Sequence, residues 1–447
     1  MFYLATKIVH LSILSGMTQV SGIGLVLMGL AAVEVYQMFK FGEEIGAVGV
    51  VMSEKFGSNG ERGRAGFLYA NFLMMWKYHY KEQLPWFKSS LKLCLSTGDR
   101  IYSSFSHLHI VACMLFGGDN LSATLAEAEA CYSDIHAWSS SVDTNILIMA
   151  IIRTIKALQG HTFNNSPTEI FDGDDGFNDK HFIEESCKQS SNPAVPMNWY
   201  DSLRMIPLVL YGHYDHAIAV GYMCIQGIHN HPCHRHTRMM LTLHSLAIIE
   251  KIRRETLPQD LVDEYMERVR KNQEILQVWV EHSAINSSMW YSLVEAEISS
   301  LSNDLKNSIT LYEMAINEAR EGNWYLELCI CHEYAGGFYE RVGIKNTAYG
   351  LLKKAISLYL QHGSYGKANH LTKMYSSLLS EFDDGRTELH DVGIQTDPFP
   401  FLGAQGSWST SSMAPVATVN EPFVSEVIPP VTTEQTLMTL DIVSEII

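Results

Sequence analysis

Residues 307–379 read NSITLYEMAINEAREGNWYLELCICHEYAGGFYERVGIKNTAYGLLKKAISLYLQHGSYGKANHLTKMYSSLL. Apolar residues recur there at three-four spacing: Leu305, Ile309, Tyr312, Ile316 and Ala319, then Leu328, Cys331, Ala335, Phe338 and Val342. The next segment repeats the pattern with Ala348, Leu352, Ala355 and Tyr359, and the last with Ala368, Leu371, Tyr375 and Leu378. Such spacing lays one apolar stripe along each helix. The breaks carry turn chemistry at Glu321-Gly322-Asn323, Val342-Gly343-Ile344 and His362-Gly363-Ser364. Glycine closes a helix because it enters the left-handed region without a Cβ clash. The stretch therefore predicts four short antiparallel helices paired into two hairpins.

The two hairpins match each other at a constant offset: Leu311, Ala315 and Ile316 align with Leu351, Ala355 and Ile356. A small alanine at a fixed place lets two helices approach closely. This is the logic of tetratricopeptide-like αα repeats, in which each hairpin buries its stripe on its neighbour. The expected fold class is all-α: a tetratricopeptide-like αα-hairpin solenoid over 1–382. Its inner face should form a concave binding groove. Ala315 and Ala355 should sit where hairpins touch.

A chain of 447 residues that is 47% hydrophobic and 18% charged is globular, and long enough for a large core. Its net charge of −17, with no basic cluster interleaved with aromatics, argues against nucleic acid as a partner. The eight cysteines are scattered without a CxxC pair, which fits reduced cytosolic thiols better than disulfides or zinc and places the chain in the cytoplasm.

Residues 1–52 are apolar, and Gly22 to Val33 carries no charge. A membrane span needs about 20 apolar residues, more than this run offers. The expectation is two buried helices split near Ser15-Gly16. A signal peptide is the competing reading, because Lys7 precedes an apolar stretch. Gly57, Gly60 and Gly63 invite a phosphate loop and fail it, since no Lys-Ser/Thr follows and no strand precedes. Helices are expected over 61–80, 84–97, 100–116, 121–138 and 142–160, with Gly-Asp turns at 98–99 and 117–119.

Residues 161–181 (HTFNNSPTEIFDGDDGFNDKH) break this rhythm. Four aspartates in eight residues raise calcium. An EF-hand loop started at Asp172, however, puts Gly176 at its fifth position and Phe177 at its sixth, so the pattern fails. An exposed acidic connector is expected instead. Helices resume over 198–210 and 214–226.

The densest apparent chemistry is HNHPCHRH, 229–236, where His231, Cys233, His234 and His236 are all soft-metal ligand types. Structural zinc sites draw ligands as two spaced pairs from separate turns. Here no second half is near, and His213 and His216 would have to fold back to complete a site. The expectation is a turn leading into helices over 236–251 and 258–282, with no metal and no other cofactor. After Phe382 the composition turns rich in Pro, Ser, Thr and Gly. Residues 383–436 read as a disordered linker and 437–447 as the start of a helix leading to a further domain.

Several groups of residues carry a resemblance. They are Arg62-Gly63-Arg64 with Ala70-Asn71-Phe72 and Trp76; Thr97-Gly98-Asp99 with Tyr102; and Phe171-Asp172 through Gly176-Phe177. To these are added His236-Thr237-Arg238; Ala348 through Tyr359-Leu360; Gly363, Gly366-Lys367-Ala368 and Leu371; and Thr439-Leu440-Asp441. In order and spacing the chain resembles the helical-repeat region of large hybrid sensor histidine kinases of fungi and bacteria. Those proteins join a protein-kinase-like domain, an AAA-type ATPase, this region, then GAF and histidine-kinase domains. The resemblance implies a non-catalytic scaffold from a two-component signalling polypeptide, held as a fragment of it. It implies the AAA-type ATPase and the GAF and histidine-kinase modules, or peptides, as partners, and Thr439-Leu440-Asp441 as the lead into a GAF domain. The full-length proteins it resembles are kinases. This chain shows no Walker loop, kinase catalytic loop or phosphoacceptor box, so no catalytic, cofactor or metal residue is assigned. The alternatives are a free-standing repeat adaptor, or a metal-dependent enzyme built on the 229–236 cluster.

Overall fold

The structure, a computed structural model, describes residues 2–138, 142–231 and 234–383. The expected linker 383–436 lies outside the described residues but for its first position, and the expected closing helix 437–447 and Cys233 lie outside them altogether. Among the described residues there are eighteen α-helices and no strand, packed as an all-α solenoid.

Three helices open the chain: α1 (Phe2–Ser15), α2 (Ser21–Tyr36) and α3 (Phe39–Phe56). The expected break at Ser15-Gly16 is present, but a second falls at Gln37, whose φ of 54° turns the chain. Two helices were expected here, split only near Ser15-Gly16, and the polar residues at Glu34, Gln37 and Lys40 that accompany the second break were not read as one. Among the described residues, no helix is long and apolar enough to cross a membrane. Next come α4 (Asn59–Phe72), α5 (Leu84–Ser96), α6 (Arg100–Gly117), α7 (Leu121–Ala137) and α8 (Val142–Gln159). Asp99 caps α6 by accepting from Tyr102 N at 3.2 Å, and Asn120 caps α7 from Ser122 N at 3.0 Å. Gly118 ends α6 at φ 78°.

A short helix the sequence did not announce, α9 (Asp179–Gln189), follows the acidic loop. Then come α10 (Ala194–Leu210), α11 (Tyr214–Gln226), α12 (Arg235–Arg254) and α13 (Gln259–Leu301). α13 continues beyond 282, but its one non-helical residue, Ser283, puts a kink at the expected end of the 258–282 helix. The opening stretch forms α14 (Leu305–Glu321), α15 (Tyr325–Val342), α16 (Lys345–His362), α17 (Tyr365–Met374) and the short α18 (Ser376–Asp383). Its stripes are buried as expected at Tyr312, Ala315, Ile316, Ala335, Leu352 and Ala355, while the stripe ends Leu305 and Val342 are exposed. Gly343 and Gly363 close their helices in the left-handed region. At 321–323 that conformation falls to Asn323 rather than Gly322.

Helices alternate between inner and outer positions. The outer α5, α7, α11 and α14 bury a single stripe. The inner α6, α8, α10, α12 and α15 are covered nearly all round, and α12 buries every residue from Arg235 to Glu250. The expected concave groove is therefore filled, because the helices that should line it pack into the centre. Contacts far apart in sequence complete the closure. Gly160, after α8, and Gly366 of α17 meet backbone to backbone: a Cβ on Gly160 would lie 2.9 Å from Gly366 Cα. Asn120 donates to Gln361 O at 3.2 Å, and the buried Lys367 reaches Leu210 O and Glu333. One apolar core runs from Val26 to Leu378, with a smaller cluster of Val9, Leu25, Met28, Ile45 and Val48 between α1, α2 and α3.

Candidate functional site

The start of α12 is where most of the unusual chemistry gathers. Arg235 is buried, and its Nη2 lies 2.6 Å from Glu327 Oε1, with both side chains fully excluded from solvent. Its Nη1 donates to Asn286 O at 3.0 Å, and the guanidinium lies 3.5 Å from the Trp324 ring centre and 4.4 Å from that of Trp290. Planar, weakly hydrated guanidinium suits such a stack better than ammonium would. Burial lowers the Arg235 pKa, and Glu327 opposes that shift. One turn on, Arg238 lies against Trp76 and Trp279.

The same junction explains the α13 kink. Ser283 Oγ donates to Met75 O at 2.5 Å. Asn286 donates to Met75 O and Tyr78 O and accepts from Tyr80 N at 3.0 Å. The carbonyls left free after α4 ends are thereby satisfied by the kinked helix. His79 donates from Nε2 to Gly322 O at 2.8 Å and stacks on Trp324 at 4.1 Å.

Beside this junction the 229–236 segment folds inward. His231 donates from Nε2 to Val195 O at 2.8 Å, and Asn71 Nδ2 approaches His234 Nε2 at 3.4 Å. Ring centres of His231, His234 and His236 lie 4.9–5.5 Å apart, and His109 of α6 joins them at 6.2 Å from His234. Trp199 sits against His236 at 4.4 Å. The Nδ1 atoms of His231 and His234, and both ring nitrogens of His109 and His236, are buried without a hydrogen-bond partner. Burial pushes His109 down to about 4 and His234 and His236 well below the usual range. All four are thus neutral imidazoles acting mainly as aromatic filler. Among the described residues, no three ligand-type side chains converge as a metal site. His213 and His216 stand at the opposite end of α11, about 20 Å of helix away, where His213 donates to Asn164 O at 2.7 Å. His109 was missed in sequence because it lies more than a hundred residues from the 229–236 cluster and nothing local links the two.

The other singled-out residues also resolve into packing. Gly63 lies where α4 meets α5, and a Cβ there would come within 2.6 Å of Cys94 Sγ; no phosphate loop is formed. The acidic loop is not an exposed connector. Ile170, Phe171 and Asp172 are buried, and the loop wraps the side chain of Arg153, which donates to Phe171 O at 2.7 Å and Asp175 at 2.6 Å. Arg153 and Lys156 hold the Asp175 carboxyl well below its usual range against the effect of its burial. Two of the aspartates read in sequence as a loop feature are counterions for cations on α8 and α10, Asp175 for Arg153 and Lys156 and Asp179 for Arg204, while Asp172 accepts from Asp179 N at 2.6 Å.

Some of the residues carrying the kinase resemblance make contacts between helices. Arg64 bonds Asp99 at 2.6 Å and lies over Tyr102. Asn71 and Phe72 touch His234, and Trp76 touches Arg238. No protein-family model matches the chain. Its sequence is similar to the peroxide stress-activated histidine kinase mak2 of Schizosaccharomyces pombe, 19% identical over 321 residues. That match takes in 70% of this chain and 14% of the kinase's length. The chain is a distant relative of part of a signalling histidine kinase.

Proposed function

We propose that the chain is a non-catalytic helical scaffold of a hybrid histidine-kinase type of signalling protein, working in the cytoplasm. It would hold an AAA-type ATPase and GAF and histidine-kinase modules in a fixed relation. The observation that carries this is the similarity to mak2, which takes in 70% of the chain. A closed solenoid with a buried ion pair at its centre suits a rigid spacer better than a flexible clamp. Neighbouring modules would dock on its outer helices, since the inner ones are covered. The peroxide response in the relative's name finds no ready thiolate at Cys94, Cys113 or Cys224. Burial pushes Cys94, Cys113 and Cys224 up to about 12, and peroxide attacks thiolates. Incubating the purified chain with magnesium and γ-labelled ATP tests the proposal. No label should be incorporated and no phosphate released. Stoichiometric labelling that persists after repurification would overturn it.

A further inference from the structure

Between the start of α10 and the end of α11 lies an open cleft of about 530 Å³, lined by Met197, Asn198, Asp201, Met223, Gln226 and His229 among others. Its volume falls within the range of small-ligand sites. No lysine or arginine lines it. Asp201 has a side chain only 17% exposed, and among the described residues no hydrogen bond reaches its carboxylate. Its one ion-pair partner, Arg204, stands off at 3.6 Å because the other guanidinium nitrogen is held by Asp179. Burial raises the Asp201 carboxyl to about 6, so it is largely ionised at neutral pH with little to balance it. Beside it, Asn198 is 6% exposed; its Nδ2 donates to Cys224 O at 2.8 Å, while its Oδ1 has no partner. Two thioether side chains, Met197 and the exposed Met223, line the cleft.

We propose that this cleft binds a cationic group on an apolar stem, an alkylammonium or alkylguanidinium, seated on the Asp201 carboxylate. The charge supplies what Arg204 leaves unbalanced. The methylenes lie along the adaptable methionine walls. A neutral ligand would leave the carboxylate uncompensated, and an anion would meet it directly. The cation has two sources, a small free amine or a lysine or arginine side chain of a peptide. This site is independent of the signalling proposal and of its ATP test.

Calorimetric titration of the full chain with agmatine, with cadaverine and with N-acetyl-arginine methylamide tests the site, with pentylurea as the neutral control. Saturable binding of the cations without pentylurea binding is expected, and Asp201→Asn should weaken it by at least about tenfold. Tighter binding of the blocked arginine assigns the site to a peptide, and tighter binding of agmatine or cadaverine to a free amine. To test the site without altering α10, carbon-13 methyl resonances of Met197 and Met223 are followed in the unaltered chain, where both should shift on titration. Absence of saturable binding up to about 10 mM of every cation, methyl resonances that stay still, or equal binding by a folded Asp201→Asn protein would each overturn the proposal.

Discussion

The pair α2 and α3 and the helix α12 are buried by opposite means. α2 and α3 meet through glycine. A Cβ on Gly49 would lie 2.6 Å from Gly22 O, and one on Gly42 2.7 Å from Gly29 O, so the two backbones touch. Little but dispersion and apolar burial holds them there. α12 is polar along much of its length, with Arg235, His236, Thr237, Arg238 and His244 all buried. Its position depends on specific partners: Glu327, the indoles of Trp290, Trp324, Trp76 and Trp279, and the imidazole cluster. The first region relies on shape and tolerates any change that keeps volume. The second relies on matched charge and orientation, and fails when one partner is lost.

The largest effect should come from breaking the α12 centre. Glu327→Gln leaves Arg235 charged and buried, and should lose about 3–5 kcal/mol of stability in urea unfolding. Replacing Arg235 and Glu327 together by methionine should cost clearly less than the sum of the two single changes. A strictly additive double variant would show that the pair is not coupled and would erase the contrast.

Acid should separate the regions next. His109 has a folded pKa of about 4 against an unfolded value of 6.5, so the unfolded chain takes up the proton first. The stability from keeping it neutral is full above about pH 6.5 and falls by up to about 3 kcal/mol as pH drops through 4. The fixed charge acting on the cluster is that of Arg238, which is positive, and each histidine that takes up a proton sets a like charge against the others. In α2 and α3 the sign is reversed. Burial raises Glu34 to about 7 and also raises Glu43, so those carboxyls lose a penalty as pH falls toward 4.5. Hydrogen exchange from pH 7 to 4.5 should therefore show α6, α10 and the start of α12 loosening before α2 and α3. The reverse order would contradict the assignment. His109→Phe should flatten the acid limb of the unfolding curve.

Gly49→Ala should overpack α2 against α3 and cost about 1–3 kcal/mol. The loss should appear as faster hydrogen exchange in α1 to α3 with α12 unchanged; spread to α12 would mean that the two regions are one cooperative unit. The smallest effect belongs to the exposed pair Lys345–Glu381, at 2.8 Å with both side chains about half exposed. Lys345→Ala should cost less than about 1 kcal/mol, and a larger loss would mean that α18 is anchored by charge.

The candidate site was only partly legible. His231, His234 and His236 stood out because they are adjacent in the chain, and adjacency is what sequence displays. Their role as neutral filler did not, because it depends on Trp199, His109 and Asn71 from three other helices. The four aspartates of 172–179 were visible, but Arg153 and Arg204, which hold Asp175 and Asp179, lie on helices to either side, and nothing local links them.

The helices themselves were settled by local order. Three-four spacing, capping residues such as Asp99 and Asn120, and glycines such as Gly118, Gly343 and Gly363 act within one or two turns, so the chain alone determined an all-α protein and most of its breaks. Closure was decided by tertiary structure. Arg235 and Glu327 are separated by 92 positions, and Asn120 and Gln361 by 241. A periodic stripe says which face of a helix is buried but not which distant helix covers it. Whether stacked hairpins stay open around a groove or close on a filled centre depends on the small rotation between successive hairpins, summed along the chain. That sum is fixed only when side chains such as Lys367 and Arg235 find partners across the molecule.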